Sequence, residues 1–242
     1  MTQETPSPLL HLSQDHLGHG AEVVLRDLDI RFLPGERIAL LGASGAGKST
    51  LLEALRAALQ QRDVAAAWCP QRQGLVPQLS VYHNIFMGRL DQHSRLTNLL
   101  NLLRPKPAHW QAVATLCEPL GIAGLMERSV EALSGGQRQR VAIARALYQG
   151  HDLFLGDEPV ASVDPHQASQ LIQLIHARHA TSVVALHQRE LALTYFTRVI
   201  GLGKQADGQG HVLLDVATDG LTPADLDFLY PAAATRESSD VS

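Results

Sequence analysis

The chain has 242 residues, 45% hydrophobic, 18% charged and 5% aromatic, which excludes a disordered, collagenous or disulfide-stapled protein and leaves room for one large domain or two small ones. Lys and Arg number 20 against 24 Asp and Glu, a formal net charge of -4, so no general excess of positive charge offers a surface to nucleic acid. Two cysteines, Cys69 and Cys117, are too few and too far apart for a disulfide framework or a zinc site, and both are expected to be buried thiols in a reducing compartment. Met1 to Leu12 lacks the basic flank and apolar run of a secretory signal, and no stretch reaches the ~18 apolar residues of a membrane span.

In chain order, Val24, Leu28, Ile30 and Phe32 predict a strand with one buried face, followed by a turn at Pro34-Gly35. Arg37 to Leu41 is a short apolar run that reads as a buried strand entering a glycine loop. From Lys48 to about Leu59 the leucines 51, 52, 55 and 59 recur at helical spacing. Val64 to Trp68 predicts a strand, Gln71 to Gln78 a loop, and Ser80 to about Leu120 a mostly helical stretch broken near Arg104 to Pro107. Ser134 is a good N-cap for a helix through Leu147. Leu153–Leu155, Ser182–Leu186, Val199–Leu202 and Val212–Val216 read as strands, with helices at His166–Arg178 and Arg189–Tyr195 between the first three. Such alternation predicts a mainly parallel sheet covered on both faces, and the last dozen residues are expected to be disordered.

Three motifs carry chemistry. Gly42, Ala43, Ser44, Gly45, Ala46, Gly47, Lys48 and Ser49 match G-x-x-x-x-G-K-[ST] between a strand and a helix, with Thr50 next. A turn before a helix requires neither the lysine nor the hydroxyl. Glycines let backbone amides turn toward a polyphosphate at a helix N-terminus, Lys48 reaches the β and γ phosphates, and Ser49 can ligate Mg2+. Asp157 and Glu158 end an apolar strand, where ligands of open sheets bind. Asp157 is the expected Mg2+ residue. Glu158, pointing to the other side of the strand end, is the expected general base for an attacking water. Leu133-Ser134-Gly-Gly-Gln137 opens a second helix N-terminus suited to phosphate, with nothing inside one domain for it to bind.

With these motifs the sequence resembles the ATP-binding subunits of ABC transporters, over roughly Leu25 to Leu202. The resemblance implies an α/β P-loop NTPase with a RecA-like core sheet, an inserted α-helical subdomain and a shortened antiparallel β subdomain. The core would span about 21–71 and 146–220, the helical signature subdomain about 72–145, and a C-terminal helix and tail about 221–242. It further implies ATP and Mg2+ as ligands and a head-to-tail homodimer in which Ser134, Gly136 and Gln137 of one copy face ATP on the other. Gln71 would sense Mg2+ and the membrane partner, Asp164 would link the two sites, and His187 would touch the γ-phosphate.

His16-Leu-Gly-His19 stands where family members put an aromatic residue on the adenine ring, and only 23 residues separate Lys48 from Gln71, so the usual hairpin there is expected to be shortened or missing. Gly74-Leu-Val76, Asn84 to Leu90, Leu186-His-Gln188 and Phe228-Leu-Tyr230 look like the ATPases of phosphonate and phosphite importers. That would make the partners two transmembrane permease subunits and, indirectly, a periplasmic or extracellular binding protein, with the chain peripheral on the cytoplasmic face of the inner membrane and no nucleic acid bound. The alternatives are another ABC importer or exporter, or a soluble ABC ATPase, whose long coiled-coil or zinc inserts and fused cassettes have no counterpart here.

Overall fold

The computed structural model describes residues 7–19 and 22–230, apart from the His19 side chain. Strands β1 (Leu10–His19), β2 (Glu22–Phe32) and β3 (Arg37–Leu41) lead through the glycine loop into α1 (Lys48–Gln60) and β4 (Ala66–Cys69). Helices α2 (Val81–Phe86), α3 (Arg95–Leu103), α4 (Pro107–Cys117) and α5 (Gly135–Gln149) follow, with a 3-10 turn at Met87–Gln92. Then come β5 (Leu153–Asp157), α6 (Pro165–Arg178), β6 (Thr181–Ala185), α7 (Arg189–Tyr195), β7 (Arg198–Lys204) and β8 (Gly210–Ala217), before a 3-10 segment at Pro223–Leu229.

All eight strands form one sheet in the order β1-β2-β8-β7-β3-β6-β5-β4. Pairing is parallel from β7 through β3, β6 and β5 to β4. The central strands therefore run apolar throughout, because both faces are covered. Alternation along β3 divides the core: Ile38 and Leu40 join the layer holding α1, whereas Ala39 and Leu41 join the layer of α5 and α6. Leu51, Leu52, Leu55 and Leu59 are at most 1% exposed, each contributing about 1.5–3 kcal/mol of transfer free energy. Both cysteines are buried and free, as their composition suggested.

Several details depart from the sequence reading. β1 pairs antiparallel with β2, although its polar sequence gave little sign of a strand. β8 runs antiparallel to β7 and makes a single parallel bridge to β2, Leu25 to Gly210. Among the described residues no strand lies between α1 and β4, as the short spacing predicted, so these pairings supply the antiparallel part. On β2 the buried face runs Leu25, Leu28, Ile30 and Phe32, with Val24 only half-buried. Asp27, at φ 51°, breaks the alternation between them. The helical stretch breaks between α3 and α4 where the two prolines predicted. The last dozen residues, expected to be disordered, lie outside the described residues.

Candidate functional site

The glycine loop joins the end of β3 to α1 at the centre of the sheet. Gly47 caps α1 at φ 101° with no side-chain hydrogen bond, leaving the first-turn amides available to a ligand. A Cβ on Gly47 would lie 2.6 Å from Leu25 Cδ2, so the tight packing of β2 on the loop requires glycine there. A Cβ on Gly45 would meet nothing within 4 Å, which marks the open side of the loop. Lys48, 5% exposed, folds back over the loop and donates from Nζ to the carbonyls of Gly42 at 2.8 Å and Ala43 at 3.2 Å. Burial lowers its pKa, and the charges of Glu158 and Asp157 oppose that shift.

Asp157 ends β5 and accepts a hydrogen bond from Ser49. Its Oδ1 is buried without a hydrogen-bond partner. Burial raises its pKa; the Ser49 bond and Lys48 act against this, and Glu158 and Glu53 reinforce it. An orphaned carboxylate oxygen next to a hydroxyl fits a hard divalent cation, which takes one or two protein oxygens and completes its shell with phosphate and water. Among the described residues no group of three His, Cys, Asp or Glu is placed to hold a metal alone, so phosphate oxygens would have to complete the shell.

Glu158 does not continue the pleat of β5. Its backbone takes φ 52°, and its N–H donates to Ala185 O at 3.2 Å. The step from Asp157 to Glu158 is thus a left-handed turn, where the sequence had suggested strand alternation; such a conformation costs a non-glycine residue about 1–2 kcal/mol. His187 Nε2 lies 2.6 Å from Glu158 Oε1, and Gln71 Nε2 donates to Oε2 at 3.4 Å. Glu158, Ala161, His187 and Gln188 border a cavity of about 80 Å³, room enough for water.

The remaining expected residues lie elsewhere. Ser134 Oγ accepts from the Gln137 N–H at 3.3 Å, and Gln137 Oε1 accepts from the Ser134 N–H at 2.9 Å, forming a capping box on α5. Gly136 sits beside Ser162, and Asp164 caps α6 by accepting from the Gln167 N–H at 3.0 Å. Among the described residues none of these hydrogen bonds reaches the phosphate loop. His16 is exposed on β1, paired in register with Arg26 on β2.

Three residues were missed in the sequence. Gln73 Nε2 donates to Gln139 Oε1 at 2.6 Å, and Gln139 Nε2 donates to Pro159 O at 2.6 Å. Arg145 donates to the carbonyls of Gly74, at 2.9 Å, and Gln73. Helix α5 thereby ties the segment carrying Gln71 to the turn carrying Glu158. The available signal was polar residues within the buried stripe of Val141, Ile143, Ala144 and Leu147.

Residues 25–161 match the model of the ABC transporter family. The chain belongs to that family. It is an ABC-type ATPase subunit, and ATP is its nucleotide. Among its relatives, Phosphonates import ATP-binding protein PhnC 1 of Pseudomonas savastanoi pv. phaseolicola is 38% identical, over 91% of this chain and 91% of that protein. Phosphonates import ATP-binding protein PhnC of Pseudomonas putida is 38% identical over 91% and 89%. Phosphite import ATP-binding protein PxtA of Stutzerimonas stutzeri is 36% identical over 91% and 86%. A dimeric bacterial ABC transporter cassette shares the fold at TM-score 0.67 and 22% identity, covering 87% of this chain and 99% of that one. Among the described residues of this ABC subunit, no helix is long and apolar enough to cross a membrane.

Proposed function

We propose that this chain energises an importer of phosphonate or a related phosphorus oxyanion, as a head-to-tail dimer on the cytoplasmic face of the inner membrane. One observation carries the reading: identity of 36–38% running over 91% of the chain to phosphonate and phosphite import ATP-binding proteins. Two transmembrane permease subunits would be the direct partners and a periplasmic or extracellular substrate-binding protein the indirect one. The core would be formed by 21–71 and 146–220, and the helical subdomain by 72–145.

In the proposed mechanism the phosphate loop, residues 42–50, binds the phosphates through the amides on its open side and the Lys48 ammonium. Ser49, Asp157 and Gln71 would hold Mg2+, which supplies charge neutralisation at the β and γ phosphate oxygens. Glu158 accepts the proton of a water lodged beside His187 as that water bonds to the γ-phosphorus and the bond to the bridging oxygen of ADP breaks. His187 and Gln71 orient the Glu158 carboxylate from its two oxygens. His187 also faces the γ-phosphate, and Ser134, Gly136 and Gln137 of the second copy close the site, with Asp164 at the junction. Hydrolysis therefore requires the dimer.

A permease segment would seat in the apolar groove of about 360 Å³ beside the Met87–Gln92 turn, lined by Leu79, Phe86, Met87, Leu99 and Leu102. Neighbouring Leu96 and Leu103 are 66% and 79% exposed, more apolar surface than one isolated side chain would explain. The test is a pull-down from detergent-solubilised native membranes with this chain as bait. Co-purification of a permease, with a binding protein that takes up phosphonate or phosphite, is the expected result. Recovery of only soluble nucleic-acid or ribosomal partners would overturn the transport reading and leave the ATPase standing.

A further inference from the structure

The chain beyond β8 returns to the phosphate loop. In the Pro223–Leu229 segment, Leu226 and Leu229 are both fully buried, and Leu229 packs against Gly201 of β7, where a Cβ would lie 2.7 Å from Leu229 Cδ1. From that seat the main chain reaches the first two loop residues. The Ala43 N–H donates to Leu229 O at 3.3 Å, and the Gly42 N–H donates to Tyr230 Oη at 3.4 Å. On its other side the segment is held by Arg189, the first residue of α7 and two residues beyond His187. The Arg189 guanidinium lies 5.4 Å from the Tyr230 ring centroid, donates to Pro223 O at 3.2 Å and pairs with Asp227.

We propose that Tyr230 is a positioning residue for the phosphate loop, and that its contact with Arg189 ties Gly42 and Ala43 to the segment carrying His187. The two amides held this way are at the β3 end of the loop, away from the open side at Gly45. Phosphate binding to a loop already anchored at its start costs less ordering than binding to a loose one. Removing the hydroxyl leaves the buried Gly42 N–H without its acceptor and frees the loop before nucleotide arrives. Bound phosphates then reorder it, so the loss falls on affinity more than on turnover. This inference rests on ATP hydrolysis by the chain and is independent of the transported substrate.

The test compares the full-length wild type with Tyr230→Phe, Arg189→Gln and the double variant, with Phe228→Ala as a control at an exposed neighbour. Hydrogen exchange of the peptide covering the phosphate loop is measured without nucleotide, and ATP hydrolysis is followed as a function of ATP concentration. Tyr230→Phe keeps the ring and its stack on Arg189, so the fold should survive with melting lowered only about 2–4 °C for each kcal/mol lost, while loop exchange accelerates. KM should rise about threefold to tenfold, the range for losing one hydrogen bond, with kcat changing less than about twofold. Arg189→Gln should act in the same direction, and the double variant should fall short of the product of the singles. Unchanged loop exchange in Tyr230→Phe overturns the positioning role, and fully multiplicative singles overturn the link to Arg189. A wild type lacking ATP turnover would refute the ATPase assignment separately, because loop exchange still reads Tyr230.

Discussion

His187 Nε2 stands 2.6 Å from one oxygen of Glu158, and Gln71 donates to the other oxygen at 3.4 Å. Held from both sides, the carboxylate has little rotational freedom. Replacing it by the isosteric amide preserves these contacts in outline but removes the proton acceptor. Glu158→Gln is therefore expected to bind ATP near wild-type affinity while turnover falls about 10²- to 10⁴-fold and an ATP-bound dimer accumulates on size-exclusion chromatography. Sustained wild-type turnover would remove Glu158 from the role of base.

Lys48 spends two donors on the carbonyls of its own loop and places a buried cation beside two carboxylates. Lys48→Ala removes a charge-assisted partner of the phosphates, worth about 1.5–3 kcal/mol, so ATP affinity measured by calorimetric titration should drop about tenfold to a hundredfold. Affinity equal to wild type would unseat the phosphate-loop assignment.

The buried amide of Gln139 bridges Gln73 and Pro159. Gln139→Leu fills nearly the same volume but orphans the Pro159 carbonyl and the Gln73 amide. We expect about 1–3 kcal/mol less stability by denaturant unfolding, and a lower kcat because the Glu158 turn loses its tether. If both quantities match wild type, the bridge restrains nothing.

His176 packs edge-on against Phe196 and lies 3.1 Å from Ser182 Oγ. Burial, with smaller contributions from Arg37 and His179, pushes its pKa down from 6.5 to about 4. The folded state binds this proton less readily than the unfolded state. Its stabilising contribution is therefore complete above pH 6.5 and is lost as pH falls from 6.5 toward 4, by up to about 3 kcal/mol. Denaturant curves of wild type and His176→Gln across that window should converge as the pH drops. A pH-independent difference between them would refute the buried neutral imidazole.

Local patterns made the strand, glycine loop and α1 readable in advance, because the apolar run of β3 and leucines 51, 52, 55 and 59 declare themselves within a few residues. The pleat misled at Asp157 and Glu158, since the turn between them depends on a left-handed backbone that acidic residues do not announce. β1 escaped notice because, among its described side chains, Leu10 and Leu12 alone are buried and Leu17 half-buried, the others being mostly polar and held by β2. The joins from Gln73 to Gln139 and from Gly42 to Tyr230 bring together residues 66 and 188 positions apart, and a single sequence holds no record of such distances.

The cap on α5 also sets the polarity of the helix start. Ser134 Oγ already receives the Gln137 N–H, so its own proton is free to point outward from an exposed helix start with two glycines behind it. An incoming group meets hydrogen-bond donors and the positive end of a dipole at once. By charge alone that surface favours an oxyanion over an ammonium group, a preference set by one hydroxyl whose bond to its own helix leaves its proton for the newcomer.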